Sequence, residues 1–331
     1  MYDLCVPPIF VVGASRSGTT LLYSILCSSG EFPHYEAETH LLDICQIKYG
    51  DIKKDKNYNR FINDWIQSKP FFRSGLEPVE FKRKSEENRS SYVDFMKFFM
   101  ASLAKKQGKK RWAEQTPGHL FHMGILSKAF PKAKFIHVIR DGRDVALSKR
   151  KVGWIGTRSS DPIKQLIYAA IDWKMAIRYG QSYAKKLGDN YLEICYEDII
   201  CNLDGVLKTV GNFAEIKIDK EQIKSSSIGS LRKGNTAFDE RMGGISSEGM
   251  DRWKRILTEK EIYVLNLVIG DTLVNLGYVV DDLDNIRNLR SLWGYRMYSI
   301  ICPMLFNSKR FLKQKTILGR FTLDKLSIGG I

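Results

Sequence analysis

No apolar run in the 331 residues reaches the roughly 18 needed to cross a bilayer, so no transmembrane span is expected. The N-terminus has no charged segment leading into an apolar core, so no signal peptide is expected either. Cysteine is scarce and scattered: Cys5, Cys27, Cys45, Cys195, Cys201 and Cys302 contain no C-x-x-C pair. That excludes a disulfide framework and fits small reduced hydrophobes in a cytoplasmic protein. Internal repeats, low-complexity tracts and long Pro/Ser linkers are absent, so residues 1–331 read as one domain. No zinc-finger, basic-zipper or RNP signature is present, which argues against sequence-specific nucleic-acid binding. Acidic residues are the minority, 37 against 52 Lys and Arg, for a net charge of +15. Such a balance suits a multiply charged anionic ligand.

What is present is organised around Gly13-Ala14-Ser15-Arg16-Ser17-Gly18-Thr19-Thr20. Ile9-Phe10-Val11-Val12 before it reads as a buried strand. Leu21, Leu22, Ile25 and Leu26 after it recur at helical spacing. Strand, Gly-rich turn and helix form a cradle for an anion, with backbone N–H groups and the Thr19 and Thr20 hydroxyls as donors. The pattern approaches the nucleotide-binding G-x-x-x-x-G-K-[ST], but Thr19 stands where the lysine is required and the cation is Arg16. An ordinary ATP or GTP site needs that lysine, so a different phosphate ester is expected here.

The stretch resembles the 5′-phosphosulfate loop of sulfotransferases that use 3′-phosphoadenosine 5′-phosphosulfate (PAPS). Arg16-Ser17-Gly18-Thr19-Thr20 is similar to the arginine version found in tyrosylprotein sulfotransferases and many bacterial members. A second segment follows the apolar run Phe135–Ile139: Arg140-Asp141-Gly142-Arg143-Asp144-Val145-Ala146-Leu147-Ser148. A guanidinium at a strand end and a hydroxyl a turn into the next helix can grip one phosphate. This segment resembles the family's 3′-phosphate site. Tyr196-Glu197-Asp198 resembles the family's segment whose tyrosine lies near the nucleotide. Arg232-Lys233-Gly234 and Arg252-Trp253-Lys254 both resemble its later Arg-Lys-Gly and Trp-Lys elements, with wider spacing, so Arg232 and Arg252 are both candidates.

For the chemistry, Glu38-Thr39-His40 resembles a Glu-Thr-Arg whose glutamate is the general base in the tyrosylprotein group, with His40 in place of the arginine. Gln115-Thr116-Pro117 resembles a Lys-Thr-Pro turn, with Gln115 in place of a lysine that assists transfer. His119 is the competing candidate base. Leu21 stands where many cytosolic members carry a tryptophan against adenine.

The resemblance implies an α/β fold, P-loop-like, with a central parallel sheet flanked by helices. It also implies PAPS as donor, 3′,5′-diphosphoadenosine as product, no metal, and transfer to an acceptor hydroxyl. Protein tyrosine, a sugar, a lipid and a small metabolite stay open as acceptors. Residues 43–110 read as a helical insertion over the acceptor site, with helices predicted at 43–49, 58–67 and 91–106. Strands are predicted at 110–114, 135–139 and 190–195, and helices at 118–130, 161–187 and 199–213. Gly243–Gly249 reads as a loop able to close over nucleotide. Thr258-Glu259-Lys260-Glu261 has the capping-box pattern of a helix start. Residues 283–331 form a basic tail, with nine Lys or Arg and one acidic residue from Arg287 onward. It reads as an amphipathic helix packing on the body, or touching a membrane surface or acidic partner. Two other functions stay in view: a P-loop kinase using ATP, and a non-catalytic nucleotide or membrane-surface binder.

Overall fold

The computed structural model describes residues 6–153, 159–225, 238–239, 244–245, 249–280 and 293–315. Four parallel strands form the central sheet: β1 (Ile9–Gly13), β2 (Ala113–Gln115), β3 (Lys134–Ile139) and β4 (Tyr191–Cys195), in the order β2-β1-β3-β4. Ile9 is in register with Ala113 on one side and Lys134 on the other, and Phe135 with Tyr191. The main helices are α1 (Thr19–Ser28), α2 (Asp55–Ile66), α3 (Tyr92–Lys106), α4 (Gly142–Lys151), α5 (Pro162–Leu187), α6 (Leu203–Ala214), α7 (Glu259–Asn275) and α8 (Trp293–Lys315).

The period-2 alternation of the strands divides the core into two layers. Phe10 and Val12 of β1, with Phe135 and Ile139 of β3, face the layer that holds α2, α3 and α5. Ile9, Val11, Ile136 and Val138 face the layer of α1 and α6. All five β1 residues are buried, as a continuous apolar run between two helical layers requires. The insertion between α1 and β2 packs on aromatic edges: Phe61 lies 4.8 Å from Phe95, and Trp65 5.4 Å from Phe99, ring centre to ring centre.

Local chemistry sets the element ends. Asp161 caps α5, its carboxylate accepting from the Ile163 N–H at 2.8 Å, and Pro162 occupies the first turn. Thr258 and Glu261 form the reciprocal capping box of α7. The helix expected at 199–213 is split at Asn202, whose side-chain oxygen accepts from the Gly205 N–H and starts α6 afresh. The strand expected at 110–114 is shorter and later, 113–115, so Gln115 ends β2 instead of following it. The helix expected at 118–130 begins as a 3₁₀ turn, Pro117–His122, and becomes α-helical only at Met123.

Candidate active site

The carboxyl ends of β1, β2 and β3 converge, and the functional side chains hang from the segments that follow them. At the end of β1 a Cβ on Gly13 would lie 2.6 Å from the Val138 carbonyl, so only glycine allows the two strands to close up. The chain then turns through Ser15 to Arg16, at φ +77°, and Gly18, at φ +93°. A non-glycine residue in that region costs about 1–3 kcal/mol and persists only where the surroundings enforce it. Here the turn is closed by the Ser17 N–H donating to the Ala14 carbonyl at 3.1 Å. A Cβ on Gly18 would strike the Tyr196 ring at 2.4 Å, so the loop lies directly against that aromatic face. Thr19 is buried at the start of α1, whereas Thr20 is exposed.

The Arg16 guanidinium reaches the second motif, where Nε donates to Ser148 Oγ at 3.0 Å. Arg140 Nη1 donates to the Arg16 carbonyl at 3.1 Å, and Nη2 donates to the Gly249 carbonyl. The Arg140 guanidinium lies over the Tyr196 ring, 4.3 Å from its centre, and the Arg140 carbonyl accepts from the Trp173 indole at 3.0 Å. Burial, Arg140 and Arg252 together hold the Arg16 guanidinium below the usual arginine range. Arg252 is brought here by its neighbour, since the Trp253 N–H donates to the Asp144 carboxylate at 3.0 Å. Three guanidiniums therefore share one small region. Ser17 Oγ, Arg140 Nε and Tyr196 Oη are buried there with no hydrogen-bond partner among the described residues. Leaving such groups unsatisfied costs about 1–3 kcal/mol each, and oxygens of an anionic ligand could satisfy them. Guanidiniums, hydroxyls and a loop of N–H groups are the donor set that phosphate esters require.

Beside it, a buried carboxylate arranges the second half of the site. Glu114 is 2% exposed. Its Oε1 accepts from Thr39 Oγ1 at 2.8 Å and Thr116 Oγ1 at 2.5 Å, and its Oε2 lies 2.9 Å from His119 Nδ1. Thr39 also donates its N–H to Thr116 Oγ1 at 3.0 Å. With Thr39 pinned inward, its neighbours Glu38 and His40 reach the surface of the site. Glu38 Oε2 is 2.9 Å from His40 Nε2, and His40 Nδ1 is 3.0 Å from Asp43 Oδ2. Burial alone would lower the His40 pKa, but the Asp43 and Glu38 carboxylates prevail and raise it to about 10. Asp43 is held below the usual carboxylate range despite burial, chiefly by His40. Gln115 closes the arc, its Nε2 donating to Glu38 Oε1 at 3.3 Å and to Thr19 Oγ1 at 3.2 Å. A line of polar contacts thus runs Asp43–His40–Glu38–Gln115–Thr19, from the insertion to the loop, hydrogen-bonded at every step but the His40–Glu38 ion pair.

The structure therefore gathers Arg16, Ser17, Gly18, Thr19, Glu38, Arg140, Ser148, Tyr196 and Arg252, with Ser15 partly exposed and Thr20 exposed on the same loop. Arg232 and most of 243–249 lie outside the described residues. His119 is 0% exposed, with Nδ1 bonded to Glu114 and its buried Nε2 without a hydrogen-bond partner among the described residues. Gln115 does not supply the positive charge of a lysine; it is a neutral bridge. Glu114, Asp43 and Trp173 were missed by motif reading, because each acts through a partner distant in sequence. Glu197 likewise has a structural task, accepting from the Asp141 N–H at 3.0 Å and from Tyr278 Oη at 2.9 Å. A cleft of about 1070 Å³, lined in part by Leu42, Tyr92, His122, Tyr179 and Tyr183, borders none of the loop residues.

Comparison with known proteins gives the family. The Sulfotransferase family model matches residues 7–220. Protein-tyrosine sulfotransferase A of Caenorhabditis elegans is 23% identical over 285 residues, 84% of this chain and 68% of that protein. Protein-tyrosine sulfotransferase 1 of Danio rerio is 24% identical over 290 residues, covering 84% of this chain and 74% of that protein. Among solved structures, the sulfotransferase domain from the curacin biosynthetic pathway superposes with a TM-score of 0.54 at 17% identity, covering 83% of this chain and 99% of that one, a likeness of fold. A family match that runs through both arginine-bearing motifs and well over half of the residues leaves no other placement: this chain belongs to the sulfotransferase family.

Proposed function

We propose that this sulfotransferase takes its sulfuryl group from PAPS and passes it to an acceptor hydroxyl in one in-line displacement. The observation that carries the reading is the joining of the two motifs, with Arg16 Nε on Ser148 Oγ and Arg140 on the Arg16 carbonyl and over the Tyr196 ring, beside the unpartnered Ser17 Oγ, Arg140 Nε and Tyr196 Oη. The loop N–H groups with Ser15, Ser17 and Thr20 would hold the 5′-phosphosulfate, and Arg140 with Ser148 the 3′-phosphate. Arg252 adds charge, and Tyr196 forms the wall between them. PAPS supplies an activated sulfuryl group whose leaving group is a phosphate.

Glu38 would accept the acceptor proton as the new S–O bond forms and the bond to the 5′-phosphate breaks. Arg16 and the loop N–H groups would stabilise the charge that then develops on the leaving phosphate. His40, held by Asp43, keeps Glu38 oriented, and Gln115 ties Glu38 to the loop so that base and phosphate cradle stay in register. A kinase reading has less support, because Thr19 replaces the Walker lysine.

The test is transfer of label from sulfur-labelled PAPS to acceptor pools, beginning with tyrosyl peptides because relatives are protein-tyrosine sulfotransferases. Label in an acceptor, lost with Arg16→Ala, is the expected result. Transfer from labelled ATP with none from PAPS would overturn the proposal.

A further inference from the structure

Helix α8 is apolar on two sides. One side packs on the body beside α5 and α7, where Cys302 is fully buried and Tyr295 and Tyr298 join the core. The other side turns Trp293, Met297, Ile300, Ile301 and Met304 outward, 68%, 40%, 61%, 45% and 69% exposed. Their spacing of four, three, one and three residues puts all five on one face. Single exposed hydrophobes are normal, but five in one stripe mark a surface that something covers.

Charge identifies the occupant. Residues 293–315 contain Arg296, Lys309, Arg310, Lys313 and Lys315 and no acidic residue. Two further cations flank the packed side: Lys260 Nζ is 5.2 Å from the Tyr295 ring centre and Lys164 Nζ 5.7 Å from that of Tyr298. A second copy of this chain would set one basic helix against another in a protein that already carries +15. An anionic lipid surface satisfies both the apolar stripe and the charge. Among the described residues no helix is long and apolar enough to cross a membrane, so the helix would lie in the interfacial plane.

We propose that the outer face of α8 docks this sulfotransferase on anionic membrane surfaces, with the stripe from Trp293 to Met304 entering the headgroup boundary. The proposal is independent of the nucleotide reading, and its test uses no substrate.

The full chain is floated with vesicles of phosphatidylcholine alone and of equal parts phosphatidylcholine and phosphatidylglycerol. Binding is expected to the mixed vesicles, and it should weaken at high salt. The double variant Ile300→Asp/Met304→Asp alters only exposed positions, so its melting should match wild type while its partition falls roughly tenfold or more. Absence of binding to mixed vesicles, or equal binding by the variant, would overturn the proposal. So would a concentration-dependent dimer that the variant abolishes in a protein that does not float, which would assign the stripe to a second copy.

Discussion

Replacing Glu38 by Gln removes a proton acceptor while leaving nearly all of its surroundings in place. The amide oxygen can still accept from Gln115, and His40 keeps its bond to Asp43, so the fold and the phosphate cradle should survive. What disappears is the carboxylate 2.9 Å from His40 Nε2 and its capacity to take the acceptor proton. Loss of a positioned general base costs on the order of 10²–10⁴ in turnover. His119→Asn makes the contrast. His119 is fully buried, and its Nδ1 is bonded to Glu114. The asparagine amide nitrogen stands close to the place of Nδ1 and can restore that bond. His119→Ala cannot, and should cost stability by about 3–5 kcal/mol, the usual penalty for stranding a buried charge. Single-turnover transfer is measured at saturating PAPS, normalised to folded protein, with the nucleotide dissociation constant determined alongside. Glu38→Gln should lose turnover with nucleotide binding unchanged, and His119→Asn should retain turnover. Near-normal transfer by Glu38→Gln, with none by folded His119→Asn, would refute the assignment and make His119 the base.

Three further outcomes are expected. Arg140→Ala should weaken binding of 3′,5′-diphosphoadenosine about ten- to a hundredfold, the equivalent of one charge-assisted hydrogen bond of about 1.5–3 kcal/mol; an unchanged dissociation constant would remove Arg140 from the site. Gly18→Ala combines a φ of +93° with a Cβ placed 2.4 Å from the Tyr196 ring, so calorimetry should show nucleotide binding largely lost, and binding at wild-type strength would show that the loop is not held against Tyr196. The His40 pKa lies above its unfolded value of 6.5, at about 10, so its ion pair stabilises the fold fully below pH 6.5 and that contribution is lost as pH rises through about 10. Urea midpoints between pH 6.5 and 10 should therefore fall in wild type and fall less in His40→Gln; parallel profiles would show that His40 is not charged in the fold.

The parts of the site that could be read in the sequence are those in which chemistry and scaffold are contiguous. An apolar strand runs straight into Arg16-Ser17-Gly18, and another into Arg140, so each motif carries its own position at a strand end. Glu38 and His40 were visible as residue types, but their line to Asp43 and Gln115 was not, because Gln115 comes to them from β2, 77 residues beyond Glu38. Glu114 reads as an ordinary strand residue until Thr39, Thr116 and His119 are seen to surround it. The burial of His119 was hidden in the same way, since nothing in Gln115-Thr116-Pro117-Gly118-His119 says which way the imidazole faces. The ends of β2 and α6 escaped for local reasons. β2 is only three residues long and is extended by a single further bond, the Ile9 N–H donating to the Trp112 carbonyl, while Asn202 caps a new helix within one apolar stretch.

The central claim is that the paired arginine motifs read a nucleotide with phosphates at both the 5′ and 3′ positions. Calorimetric titration of the full chain with 3′,5′-diphosphoadenosine, adenosine 5′-diphosphate and ATP tests it most directly. Binding of 3′,5′-diphosphoadenosine about tenfold or more tighter than of either other nucleotide is expected, since under the proposed assignment only it offers a 3′-phosphate to Arg140 and Ser148. Equal affinity for all three, or tighter binding of ATP, would contradict the account.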